Sequence, residues 1–109
     1  MRLTLTTDKL QVVLAGAITT NHLHTVTLYR DVYGGAEQRL RNVADTNNTT
    51  DVDLCPAPAA GHVHEVDWFS VYNNDTVAAT VTVKFDANAT EYIICKQTLQ
   101  TGQTLEWNR

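Results

Sequence analysis

Between residues 66 and 107 the chain repeats one kind of segment: VDWFSVYNND, TVAATVTVKFDA, TEYIICKQTL and QTGQTLEW, each β-branched or aromatic, with Asn, Asp or Gly between them. Apolar residues recur near every second position, the period at which one face of a strand meets a core. The intervening residues supply turn chemistry. Such a stretch predicts a β-meander, and a meander without a catalytic constellation points to packing and binding rather than turnover.

The 109 residues suffice for one domain, 1–109, with a single core. With 43% hydrophobic and 18% charged residues, two Pro and five Gly, the chain is expected to fold rather than remain disordered. The formal charge is −4 and the Lys and Arg residues are scattered, so no basic stripe exists to neutralise a phosphate backbone; nucleic acid is not an expected partner. Thr6, Thr7, Asp8 and Lys9 interrupt the apolar start, which reads as two strands rather than a signal peptide. No apolar run approaches the roughly 18 residues of a membrane-spanning helix, so no membrane partner is expected either, and synthesis in a cytoplasm is. Cys55 and Cys95 are too few for a disulfide scaffold and too far apart for a CxxC pair. Their apolar surroundings suggest two buried thiols, with one cross-sheet disulfide left open.

The first half alternates too. RLTLT (residues 2–6) and LQVVLA (residues 10–15) predict a hairpin or a bent edge strand, and LHTVTLYRDVY (residues 23–33) predicts a strand with Val26 and Leu28 inward. After Gly34-Gly35, AEQRLRNVAD is the one stretch of helix-favouring residues, too short to assign firmly, and residues 45–51 read as the longest exposed loop. Pro56-Ala57-Pro58 must turn, because proline brings no ladder donor. A long strand over 62–73 is expected with Phe69 and Val71 inward, and with Val66, Trp68 and Tyr72 opposite. The alternation falters around Trp68, which predicts a bulge or two covered faces. Asn73-Asn74-Asp75-Thr76 reads as a hairpin turn with Asn at positive φ. Beyond it Val77, Ala79, Val81, Val83 and Phe85 should share one face, and Tyr92, Ile94 and Leu99 should point inward. This gives an all-β chain, an antiparallel two-sheet sandwich or jelly roll of about seven to eight strands. Cys55, Trp68 and Cys95 follow the immunoglobulin order, but Cys55 directly precedes Pro56 at a strand end, which makes that match weak.

Chemistry-bearing residues are sparse. His22 and His24 form one pair and His62 and His64 another, each on one strand face by the period of two. A jelly-roll metal enzyme would need both pairs to converge and a Glu a few residues after one of them. Trp68 and Phe69 occupy those positions, and Glu65 is out of phase with His64, so no metal and no cofactor are expected. There is no Gly-x-Ser-x-Gly elbow, and the one Ser, Ser70, is mid-strand. Glu65 and Asp67 share a face as a solvated strand would. The Asn-x-Thr triplets at Asn47, Asn48, Asn74 and Asn88 fall where turns explain them. No catalytic residue is assigned.

The segments TTDKLQVVLAGAITTNHLHTVTLYRD, LCPAPAAG, VDWFSVYNNDTVAATVTVKFD and IICKQTLQTGQTLEW together resemble small β-sandwich structural proteins of the virions of tailed bacteriophages. His62 and His64 depart from that pattern, standing where basic residues are expected after the glycine. The resemblance implies a non-enzymatic virion protein, made in the host cytoplasm. Its first expectation is a capsid cement or decoration protein whose partner is the major capsid protein, and its alternative is a tail, baseplate or head-tail connector component. The expected interface residues are Leu3 and Leu5 on an N-terminal edge strand within residues 1–15, Tyr33 beside a clamp formed by residues 34–50, and Trp68 and Trp107. A homo-oligomer, dimer or trimer, is expected. From another class, a carbohydrate- or receptor-binding module would need Trp68, Tyr72 or Trp107 aligned on one exposed face.

Overall fold

Gly34 and Gly35 decide how the first half of the chain folds. Both have positive φ (58° and 80°), so they form a two-residue turn whose twist suits a hairpin, and Tyr33 pairs with Ala36 across it. The segment with helix-favouring composition is therefore a strand. The clamp expected over residues 34–50 is mostly this second arm of the hairpin, because ten backbone pairings outweigh a weak local preference.

The computed structural model covers residues 1–109 and is all-β, without helix: β1 (Arg2–Leu3), β2 (Asp8–Leu14), β3 (His24–Tyr33), β4 (Ala36–Asp45), β5 (Val52–Cys55), β6 (Val63–Tyr72), β7 (Ala79–Ala87), β8 (Thr90–Leu99) and β9 (Thr104–Asn108). Nine strands form two antiparallel sheets packed face to face. The first has the order β1-β6-β3-β4, and the second β5-β2-β7-β8. In the first sheet β9 joins the same edge of β6 as β1: β1 takes Glu65 and His64, and β9 takes Trp68 through Tyr72. Of residues 1–15, only Arg2 and Leu3 form an edge; β2 lies between β5 and β7.

The core is one cluster in which Leu3, Leu10, Val12, Leu23, Leu54, Val66, Phe69, Val71, Val81, Val83 and Leu99 are fully buried. Burying a side chain the size of Phe69 stabilises by about 1.5–3 kcal/mol. The inner face of β3 is Thr25, Thr27 and Tyr29 rather than Val26 and Leu28, because register is set across the sheet. Thr27 lies opposite Phe69 and Thr25 opposite Val71, so they share the buried side, and Leu28 is left 44% exposed. The expected irregularity near Trp68 is a bulge at Asp67: Leu28 pairs with Trp68 but Tyr29 with Val66. The extra residue returns Val66 to the core face, away from Trp68 and Tyr72.

The link from β6 to β7 is not a hairpin but a crossing between sheets. Its Asn73 and Asn74 do not adopt positive φ. Asn73 is fully buried and its amide donates to the carbonyls of Val77 (3.0 Å) and Leu99 (2.9 Å). The backbone N–H groups of Thr19 (2.8 Å), Thr20 (2.8 Å), Asn21 (3.0 Å) and Thr76 (2.8 Å) donate to Asp75, tying the crossing to the β2–β3 connection. Those donors, Thr19 foremost, hold the Asp75 carboxyl well below the usual carboxylate range. Residues 15–23 form the longest connection, not residues 45–51, where an isolated bridge between Asn47 and Thr50 tightens the turn.

The hairpin β7–β8 turns at Asn88 and Ala89, both at positive φ (53° and 69°). Leu99 at the far end is buried as expected. Val77 (45%), Tyr92 (60%) and Ile94 (38%) are exposed instead, because neither the crossing before β7 nor the first half of β8 is covered by the other sheet.

Candidate functional site

Three places bring chemistry or apolar surface together. The first is at the start of β6, where His62 and His64 both meet Asp31 of β3. His62 Nδ1 lies 2.9 Å from an Asp31 oxygen and His64 Nε2 lies 3.4 Å from the other. Tyr33 stacks on His62 with ring centroids 4.2 Å apart, and Tyr29 tilts against His64 at 4.9 Å. The His-x-His spacing thus placed both rings on a common partner. The other pair is remote. In the antiparallel register His24 faces Tyr72 while Asp31 faces His64, seven residues along β3, which is about 23 Å. His24 is exposed and His22 half-buried, with its Nδ1 enclosed and unpartnered. The pairs do not converge, and no group of three or more His, Cys, Asp and Glu is arranged to hold a metal ion.

Cys55 adds a feature that the sequence reading missed. Its Sγ lies 3.8 Å from His64 Nδ1, so thiol, imidazole and carboxylate form a series resembling a nucleophile, a base and an orienting acid. Two facts disarm it. His64 Nδ1 donates to the Pro56 carbonyl at 2.8 Å, so that nitrogen carries its hydrogen and has no lone pair for the thiol proton. The thiol is fully buried, and desolvation, with the nearby Asp53 charge second, pushes it up to about 12. Cys95 is only half-buried, and both thiols are free, so no cross-sheet disulfide forms.

The second place is the outer face of the first sheet. Val43 pairs with Val26, and Leu28, two residues on from Val26, pairs with Trp68, so these four make a continuous apolar stripe. Leu28 is 44% and Val43 66% exposed. Beside the stripe, an open cleft of about 390 Å³ is lined by Leu28, Arg30, Glu37, Arg39, Asp67 and Arg109. Arg30 is held by Asp67 (2.9 Å) and Glu37 (3.1 Å), and these bonds, that to Asp67 foremost, hold its guanidinium firmly charged and the Asp67 carboxyl low. Arg39 and Arg41, by contrast, make no ion pair.

The third place is β8, whose outer edge pairs with no other strand and which exposes Tyr92, Ile93 and Ile94.

The expected interface residues scatter over these features. Leu3 is fully buried and belongs to the core, which removes it from any surface. Leu5 (61%) stands exposed in the turn after β1 and Tyr33 (57%) at the β3–β4 turn. Trp68 lies on the outer stripe with its indole N–H donating to Glu106 at 2.9 Å. Trp107 packs on the core, stacked with Phe69 at 5.8 Å. Ile93 and Val43 were not singled out from sequence, and Leu28 was expected inward. Their exposure depends on which sheet each strand joins, and periodicity does not carry that information. No protein-family model, curated protein or solved structure matches this chain.

Proposed function

We propose that this protein is a non-enzymatic virion subunit of the cement or decoration type, which docks on the major capsid protein and stabilises the assembled shell. The observation that carries the reading is the outer face of the first sheet: an apolar stripe of Val43, Val26, Leu28 and Trp68 bordered by two unpaired arginines. Apolar side chains with a tryptophan and adjacent arginines are the composition of an interface centre, and they suit a partner surface with an apolar middle and an acidic rim. A ligand that binds only the expanded lattice stabilises it by mass action, and many weak copies add through symmetry. The resemblance to phage structural proteins in the motifs quoted above points the same way. A tail, baseplate or connector position uses the same surface logic and is the alternative partner.

The carbohydrate-module reading has less support. Trp68 and Tyr72 share the outer face but stand four residues apart, about 13 Å, with Ser70 between them, and Trp107 faces the core. They do not form one stacking platform.

Co-sedimentation with expanded phage heads lacking the protein, with unexpanded procapsids and with isolated tails tests the proposal. Stoichiometric binding to expanded heads, lost in Val43→Glu, is the expected result. Binding to tails alone selects the alternative, and binding to no particle overturns both.

A further inference from the structure

We infer that β8 is a self-pairing edge: two copies of this chain join antiparallel along Thr90–Leu99, centred on Ile93 and Ile94, merging two four-stranded sheets into one of eight. This is independent of the shell-docking reading, which uses the other sheet.

The four lateral margins of the sandwich are treated differently. β1 spans two residues and β9 five, and they share one edge of β6. β5 is four residues long, and the Asn42 amide of β4 donates to its Asp53 and Leu54 carbonyls, both at 2.9 Å. β4 carries Arg39 and Arg41, which would oppose each other in a self-pairing centred on Leu40. β8 has ten residues, no side-chain clamp and no opposition of like charges; its one bulge and its single Glu and Lys leave Tyr92 60% and Ile93 68% exposed. A long apolar edge of this kind is a template for another strand.

The strand's own residues argue that the occupant is a second copy. A two-fold axis relating antiparallel edges runs perpendicular to the sheet, so paired residues must lie on the same face. Strict alternation would then forbid pairing odd-numbered with even-numbered residues. β8 is not strictly alternating: Val83 faces Cys95 but Lys84 faces Ile93, so Ile94 is the extra residue of a bulge. Tyr92, opposite Phe85, and Cys95, opposite Val83, therefore share the inner face. Glu91, opposite Asp86, and Lys96, opposite Thr82, share the outer one. Centred on Ile93 and Ile94, the pairing sets Tyr92 against the partner's Cys95 and Glu91 against the partner's Lys96, twice over. These are the only charges on the strand, so each meets its opposite.

Sedimentation velocity on the purified protein, free of any phage particle, tests this with charge exchange. The wild type is expected to dimerise. Lys96→Glu, at an exposed residue whose loss leaves the Lys84–Glu91 pair in place, and Glu91→Lys should each weaken dimerisation roughly tenfold, since two attractive pairs become two repulsive ones. An equimolar mixture of the two variants should restore a dimer, because each chain then meets the opposite charge. Tyr92→Cys under mild oxidation should give a disulfide to the partner's Cys95, identified by peptide mapping. A wild type that stays monomeric, a dimer indifferent to the charge exchange, or no 92–95 link overturns the inference.

Discussion

β4 and β8 are matched in nearly everything except chemistry. Each has ten residues, each ends a sheet with one strand neighbour, and each is exposed along most of its length. β4 carries Glu37, Arg39, Arg41 and Asp45, and its inward Asn42 binds the neighbouring β5; β8 carries Tyr92, Ile93 and Ile94 with a single Glu and a single Lys. The charged edge resists another strand, whereas the apolar one invites it. Exposure alone therefore does not mark a working surface; what decides is whether the exposed edge has been made costly to pair.

That contrast assumes both edges hang from one core, and the largest effect tests the assumption. Phe69 is fully buried on β6, stacked with Trp107 and central to the first sheet. Phe69→Ala should cost about 3–5 kcal/mol in urea denaturation and lower hydrogen-exchange protection in both sheets together. If β7–β8 keeps its protection while β3–β4 loses it, the edges belong to separate cooperative units and the comparison fails.

The crossing at Asn73 and Asp75 separates the two halves of β8. Asn73 holds the Leu99 carbonyl, so that end is tied to the crossing as well as to β7, whereas the Tyr92 end is held by β7 alone. Asp75 keeps this crossing in shape as a carboxylate, and its folded-state pKa lies below the unfolded value of about 3.9. The stabilisation it provides is present above that unfolded value and is lost as pH falls toward the depressed folded one. Urea midpoints measured from about pH 6 to pH 2 should fall with acid in the wild type. Asp75→Asn, which offers one acceptor oxygen in place of two, should start lower at neutral pH and show a shallower acid slope. An unchanged slope would remove Asp75 from the linkage.

Much of this architecture was legible because the C-terminal segments alternate cleanly and end in turn residues. What periodicity could not supply was the sheet to which each strand belongs. Val26 and Leu28 are more apolar than Thr25 and Thr27, yet the threonines are inside, because β6 presents Phe69 and Val71 to them. The helix-favouring composition of residues 36–45 concealed a hairpin that Gly34-Gly35 already signals. The His62–Asp31–His64 cluster was half legible: the spacing put both rings on one face, but their meeting with Asp31 depends on a register interrupted by the bulge at Asp67. The same limit hid β8, since a strand reads alike whether or not a second sheet covers it.

The closure of the β4 side rests on Asn42. Asn42→Ala leaves the Asp53 and Leu54 carbonyls without that donor and should cost about 1–3 kcal/mol. Exchange should accelerate in β5 and β4 and stay unchanged in β8. Equal acceleration at both edges would mean that the clamp supports the whole sandwich rather than one side of it.

The smallest effect concerns the turn that presents β8. Ala89 is held at φ 69°, where its Cβ crowds the backbone, in a two-residue hairpin turn that glycine would enter freely. Ala89→Gly relieves that crowding at the cost of a more flexible unfolded chain, and the balance should raise stability by up to about 1 kcal/mol. Because residue 89 lies outside β8, the change should leave self-association through Glu91 and Lys96 intact. Together the two readings separate fold from interface: the urea midpoint rises while the dimer dissociation constant stays put. A parallel shift in both would show that pairing of β8 is governed by the stiffness of its hairpin rather than by the chemistry along its edge.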